Sequence, residues 1–145
     1  MLHTIYADGG ARPNPGRGGC GVVVLRGEEV IESAGKYLGE QVTNNAAEYR
    51  GLIFGLSLVL KYRPSTLRVR MDSKLVIQQM LGKWRVNHVP LQKLNAAANS
   101  LVQSLVDLGL QAVYFEHIPR ELNGAADKLA TRAILKKMEH PGGLK

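Results

Sequence analysis

The chain has 145 residues, 45% of them hydrophobic, and a formal charge of +7 at neutral pH, which suits one domain with a core of its own. No apolar run approaches the roughly 18 residues that cross a bilayer, and the start "MLHTIYAD" lacks a basic segment followed by an apolar one. A single cysteine, Cys20, excludes an internal disulfide, and no Cys/His cluster has zinc spacing, so the expectation is a soluble, unexported, cytoplasmic protein with no membrane contact.

The first predicted strand covers residues 2 to 7 and ends at Asp8, in the stretch "YADGGARPNPGRGG". Glycine-rich turns let a ligand approach the main chain closely, and their amides cradle anions. Two anion motifs fail here. A phosphate loop needs Gly-Lys-Ser/Thr opening a helix, and a dinucleotide fingerprint must lie between strand and helix, whereas this run leads into "GCGVVVLRG". Residues 9 to 19 are therefore expected to be a loop between antiparallel strands. The second and third strands are predicted at 19 to 26 and 29 to 37, linked by tight glycine turns.

"NNAAEYRGLIFGLSLVLKY" places Leu52, Leu56, Val59 and Leu60 on one helical face, with Asn44 or Asn45 able to cap its start. "TLRVRMD" alternates Leu67, Val69 and Met71 with Arg68, Arg70 and Asp72, the pattern of a strand. Residues 61 to 100 hold eight Lys/Arg against one acid, Asp72, which points to a polyanion partner such as nucleic acid. "SKLVIQQML" reads as a short helix, and a longer one begins near Pro90 and stops at Gly109. "LQAVYFEHI" is the fifth strand. A closing helix over "NGAADKLATRAILKKM" has Asn123 as its cap, and residues 139 to 145 are expected to form a flexible tail behind a domain of residues 1 to 138. The order implies an α/β fold: a five-stranded mixed β-sheet, its first three strands antiparallel, with helices on both faces.

Four carboxylates fall at element ends: Asp8, Glu48, Asp72 and Asp127. Each has an ordinary structural reading. Glu48 suits an Asn45-x-x-Glu48 capping box, Asp72 the start of a helix, Asp127 a helix dipole and Asp8 a turn.

Taken together, "YADGGARPNPGRGG", "TNNAAE", "MDS" and "NGAAD" resemble the ordered motifs of the type 1 ribonuclease H family, over roughly residues 2 to 138. The resemblance implies a ribonuclease H-like fold in which Asp8, Glu48, Asp72 and Asp127 converge as metal ligands and catalytic residues. Carboxylate oxygens without histidine or thiolate suit Mg²⁺ or Mn²⁺, and the implied mechanism uses two ions per active site in an in-line phosphoryl transfer. The implied activity is an endonuclease that cuts the RNA strand of an RNA/DNA hybrid to 5′-phosphate and 3′-hydroxyl ends. It also implies that Gly9, Gly10, Asn14, Asn44 and Asn45 meet the RNA, whose 2′-hydroxyl separates it from DNA, while Thr43 helps hold a DNA phosphate. Two readings stay open beside it: a non-catalytic hybrid-binding module, and a structure-selective DNA nuclease of the same superfamily. No organic cofactor is expected, and the compact chain is expected to be a monomer.

The sequence departs from the family at two places. Gln41 stands where many members have an arginine serving the DNA-phosphate pocket, and only "GKWRVNHVP" remains of the long basic handle found in some members, with Lys83, Trp84 and Arg85 as the substrate contacts that the resemblance still implies. Before the last helix, "EHIPRELNGAAD" offers both His117 and Arg120 where the family places a mobile histidine or an arginine. Arg120 lies in the loop proper and is the expected catalytic partner; His117 closes a strand.

Overall fold

The computed structural model describes residues 1–139. Its sheet has the order β3-β2-β1-β4-β5. Strands β1 (Leu2–Arg12), β2 (Gly16–Arg26) and β3 (Glu29–Val42) form an antiparallel meander, and β4 (Thr66–Met71) and β5 (Ala112–His117) add in parallel on the other side of β1. Helices α1 (Asn44–Val59), α2 (Lys74–Met80), α3 (Val89–Asp107) and α4 (Gly124–Glu139) complete it.

The glycine run is strand, not loop. Pairing between β1 and β2 continues from His3↔Arg26 to Arg12↔Arg17, leaving a turn of three residues, Pro13 to Pro15. Asp8 therefore lies inside β1, opposite Gly21, and does not end it. Glycine is depleted in strands, so local preference argued for a loop; tertiary packing overrides it. A Cβ on Gly9 would stand 2.1 Å from the Ala47 carbonyl oxygen of α1, and one on Gly21 2.3 Å from the Ala126 carbonyl oxygen of α4. The backbone that the thin chain admits is that of its own helices.

The two sheet faces divide the helices. Leu52, Leu56 and Val59 of α1 join Ile5, Val22, Val24, Leu67 and Val69 in one buried core, closed from outside by Leu91, Ala98 and Leu105 of α3. On the other face α4 runs alone across β2 and β3. Helix starts also differ from expectation. Thr43, not Asn44 or Asn45, caps α1, its hydroxyl accepting from the Ala46 N–H at 3.2 Å, and Ser73 caps α2. Both have the extended backbone and short hydroxyl that an N-cap needs. The third helix starts one residue before Pro90 and gives way to Gly109 at φ +114. Glu139 is still helical, so the boundary expected after residue 138 falls within α4; residues 140 to 145 of the expected tail lie outside the described residues. No described helix is long and apolar enough to cross a membrane.

Candidate active site

The site is built on one unpaired edge. Strand β4 ends at Met71 and pairs with β1 only as far as Tyr6↔Arg70, while β1 continues to Arg12. Beyond Tyr6 the β4-side polar groups of β1 need other partners, because buried main-chain N–H and C=O groups are costly to leave alone. Three side chains supply them. Asn123 donates through Nδ2 to the Ala7 carbonyl at 2.8 Å, Glu48 accepts from the Gly9 N–H at 2.7 Å, and the Asn44 Oδ1 accepts from the Ala11 N–H at 2.8 Å. Glu48 is thus not the partner of Asn45 in a capping box. It crosses from the first turns of α1 to the edge of β1.

That arrangement brings acids together. Asp8, Glu48 and Asp72 each offer a carboxylate oxygen within 4.8 Å of the other two. Asp127, in the first turn of α4, lines the same cleft of about 320 Å³ and acts on Asp8 through its charge. Asn123 also donates to the Asp72 Oδ1 at 2.8 Å. Its buried side chain ties β1 to the end of β4 through Nδ2, while its main-chain carbonyl accepts from the Asp127 N–H at 3.1 Å, the cap position expected for it at the start of α4.

Burial is the largest cause of the Asp8 carboxyl rising to about 7; a hydrogen bond with Glu48 opposes the rise and the charges of Asp72 and Asp127 add to it. Glu48 is pushed up to about 10, by burial first and then by the charge of Asp8. Repelling carboxylates in a poorly hydrated site either hold protons or gain a cation. Three hard oxygen donors and no thiolate or imidazole among them fit a divalent cation of the Mg²⁺ type.

Arg120 opens the one-turn helix Arg120–Leu122 and lines the cleft. His117 lies at the end of β5 outside that lining, exposed, with Nε2 3.3 Å from the Asp72 carbonyl oxygen. On the cleft's other side, the Asn44 N–H donates to the Asn14 Oδ1 at 3.0 Å, joining the hairpin turn to the start of α1. Gly9 and Gly10 both line the cleft. Gly9 is already committed, its N–H to Glu48 and its α-carbon against α1, while a Cβ on Gly10 would meet only Asn44 Oδ1, at 3.9 Å.

A model described as reverse transcriptase-like matches residues 6–133. The ribonuclease H of Caldicellulosiruptor saccharolyticus is 32% identical over 146 residues, spanning 93% of this chain and 97% of its own. The chain belongs to the ribonuclease H family. The bifunctional protein Rv2228c of Mycobacterium tuberculosis is 42% identical over 92% of this chain, which spans only 36% of that longer relative. Among solved structures, LC11-RNase H1 in complex with an RNA/DNA hybrid aligns with TM-score 0.87 and 36% identity, over 94% of this chain and 99% of that one.

A second groove of this ribonuclease H-family chain lies across α1 from the acids. Thr43, Asn45, Leu75, Gln79, Arg85, Asn87, His88 and Leu91 line it. Gln79 shapes it from below, accepting from the Tyr49 hydroxyl at 2.6 Å and donating to the Arg85 carbonyl at 3.0 Å. Of the basic "GKWRVNHVP" segment only Arg85 reaches the groove from the expected trio. Lys83 and Trp84 are exposed beside it, with Lys74 Nζ 5.8 Å from the Trp84 ring centre. Gln41 faces neither groove nor acids; it sits with Arg12, Arg17 and Glu40 at the hairpin. Sequence reasoning missed Asn87, His88 and Arg12. The first two follow a loop with no periodic signal, and Arg12 was hidden in a supposed loop.

Proposed function

We propose that this chain is a metal-dependent endonuclease that hydrolyses the RNA strand of RNA/DNA hybrids, leaving 5′-phosphate and 3′-hydroxyl ends. The observation that carries the reading is the convergence of Asp8, Glu48 and Asp72 within 4.8 Å, with Asp127 on the wall of the same open cleft. A polyanion-binding surface has no use for buried carboxylates that repel it, so the cluster supports catalysis over a hybrid-binding module. Asp8, Glu48, Asp72 and Asp127 would hold two Mg²⁺ or Mn²⁺ ions. Bound there, the ions would supply the electrophilic and water-activating chemistry of in-line phosphoryl transfer.

The remaining residues divide between two strands. Gly10, Asn14 and Asn44 line or border the acid cleft and take the RNA strand, with Gly9 holding the frame. Asn45 stands on the other side of the α1 start, where its amide can join Asn44 in reading 2′-hydroxyls. Thr43 and Arg85 line the second groove and take a DNA phosphate, with Lys83 and Trp84 as outlying contacts to the same strand. Arg120 steadies a phosphate near the acids. The whole reading takes residues 1 to 138 as one catalytic domain, acting as a monomer without an organic cofactor.

Labelled RNA/DNA hybrid, duplex RNA and duplex DNA, each incubated with the protein in Mg²⁺, Mn²⁺ or chelator, test it. Cleavage of the RNA strand of the hybrid alone, abolished by chelator, is expected. Binding without cleavage would leave the hybrid-binding module, and cleavage of duplex DNA the structure-selective nuclease.

A further inference from the structure

Two arginines line the acid cleft, and only Arg120 has so far been given a task. The second, Arg12, is the last residue of β1, on the same strand face as Asp8 and Gly10 by the two-residue alternation of a strand. That face is turned toward α4, where the Arg12 Nη2 donates to the Thr131 hydroxyl at 3.1 Å. Thr131 lines the cleft as well, one helical turn on from Asp127. Among the described residues no acid lies within ion-pair distance of Arg12; its acidic neighbour is Glu40, across the outer side of the hairpin.

We infer that Arg12, steadied by Thr131, is a substrate-binding clamp that grips a non-scissile phosphate of the strand being cut. The inference rests on the nuclease reading above. Its physical basis is the charge pattern of the cleft: four acids occupy the middle, so a polyanion threading through needs cationic contacts at the flanks, and Arg12 and Arg120 are the cations there. A guanidinium carries five donors in a fixed fork. With one nitrogen anchored on Thr131, the other donors remain for phosphate oxygens, and part of the side-chain ordering cost is met before substrate arrives. Because Arg12 shares its cleft with the acids, the phosphate it grips belongs to the cut strand; Thr43 and Arg85 lie in the other groove.

The test uses hybrids in which single RNA-strand phosphates are replaced, one at a time, by neutral methylphosphonates. Steady-state cleavage and binding by wild type, Arg12→Ala and Arg12→Lys would be compared, with melting curves to verify folding. Arg12→Ala should raise KM about tenfold with a smaller change in kcat, and lower the slope of log affinity against log salt by about 0.7 to 0.9, one phosphate contact. One non-scissile methylphosphonate should weaken wild type and leave Arg12→Ala unaffected. Arg12→Lys should keep the salt slope and lose part of the affinity. An Arg12→Ala protein with unchanged KM and salt slope, or one that responds to every methylphosphonate as wild type does, overturns the clamp. Failure of the wild type to cut any hybrid would instead remove the nuclease reading.

Discussion

Each acid of the site is answerable to a different neighbour, so single substitutions separate their roles. Asp8 is buried in mid-strand and feels all three other carboxylates. Asp8→Asn keeps its shape and removes a ligand charge, so hybrid cleavage should fall to background in a gel assay while hybrid affinity stays within a few-fold, since phosphate contacts dominate binding. Turnover near the wild-type rate would remove Asp8 from the metal site. Arg120 and His117 give a second contrast. Arg120 lines the cleft, whereas His117 leans on the Asp72 carbonyl from outside it. Arg120→Ala should lower kcat at least about tenfold, or about 1.4 kcal/mol of barrier, and His117→Ala should cost less. Single-turnover rates for both decide it: a His117→Ala protein crippled more than Arg120→Ala reverses the assignment.

Elements position those residues through contacts that leave little tolerance. The α4 helix sits so close to β2 that Gly21→Ala would press a methyl group into the Ala126 carbonyl. About 1 to 3 kcal/mol of destabilisation is expected from such overpacking, read as a lower urea midpoint. By contrast, Thr43→Ala should cost about 1 kcal/mol through the lost cap of α1, and Asn45→Ala, with no part in that cap, much less. A larger loss in Asn45→Ala would return the cap to it. These same contacts explain which features could be read from the chain. The alternation of "TLRVRMD" and the spacing of Leu52, Leu56 and Val59 are local patterns, and β4 and α1 appear where those patterns place them. The four acids were not legible in this way: each alone has an ordinary structural reading, and their convergence was expected only from the resemblance to the ribonuclease H family. The glycine strands were not, because what makes Gly9 and Gly21 strand residues is a helix from another part of the chain. Nor was Asn123 as a tie between β1 and Asp72, since that depends on β1 running six residues, Ala7 to Arg12, past its last pairing with β4, a matter of register rather than composition. The choice of Thr43 over its asparagine neighbours was equally hidden: both residue types cap well, and the site draws Asn44 away to the Ala11 N–H.

The whole molecule carries the cost of this site as a stability that depends on pH. Asp8 and Glu48 have folded-state values of about 7 and about 10, against ordinary values of 3.8 and 4.5, chiefly because folding buries them. A carboxyl whose folded pKa lies above its unfolded one holds its proton more tightly in the native state. It therefore favours folding below the unfolded pKa, and that advantage disappears as pH rises through the folded value. Metal-free protein in chelator should melt at progressively lower temperature as pH climbs from 5 toward 9, Asp8 contributing to the fall up to about 7 and Glu48 continuing it beyond. Mg²⁺ or Mn²⁺ binds the deprotonated cluster only where the chain is folded, so it should raise Tm by mass action, and by more at pH 8 than at pH 5, where protons compete for the same oxygens. Asp72→Asn removes a repelling charge from beside Asp8 and Glu48, and in chelator at pH 8 it should leave Tm equal to or above that of wild type while weakening the Mg²⁺ response. Calorimetry of both proteins at pH 5 and 8, with and without the ion, checks all three expectations. A wild-type Tm that does not fall between those two values in chelator would mean that the cluster is already neutralised from within, and a marked loss of stability in Asp72→Asn would make the Asn123 contact, rather than charge repulsion, the dominant influence on that carboxylate.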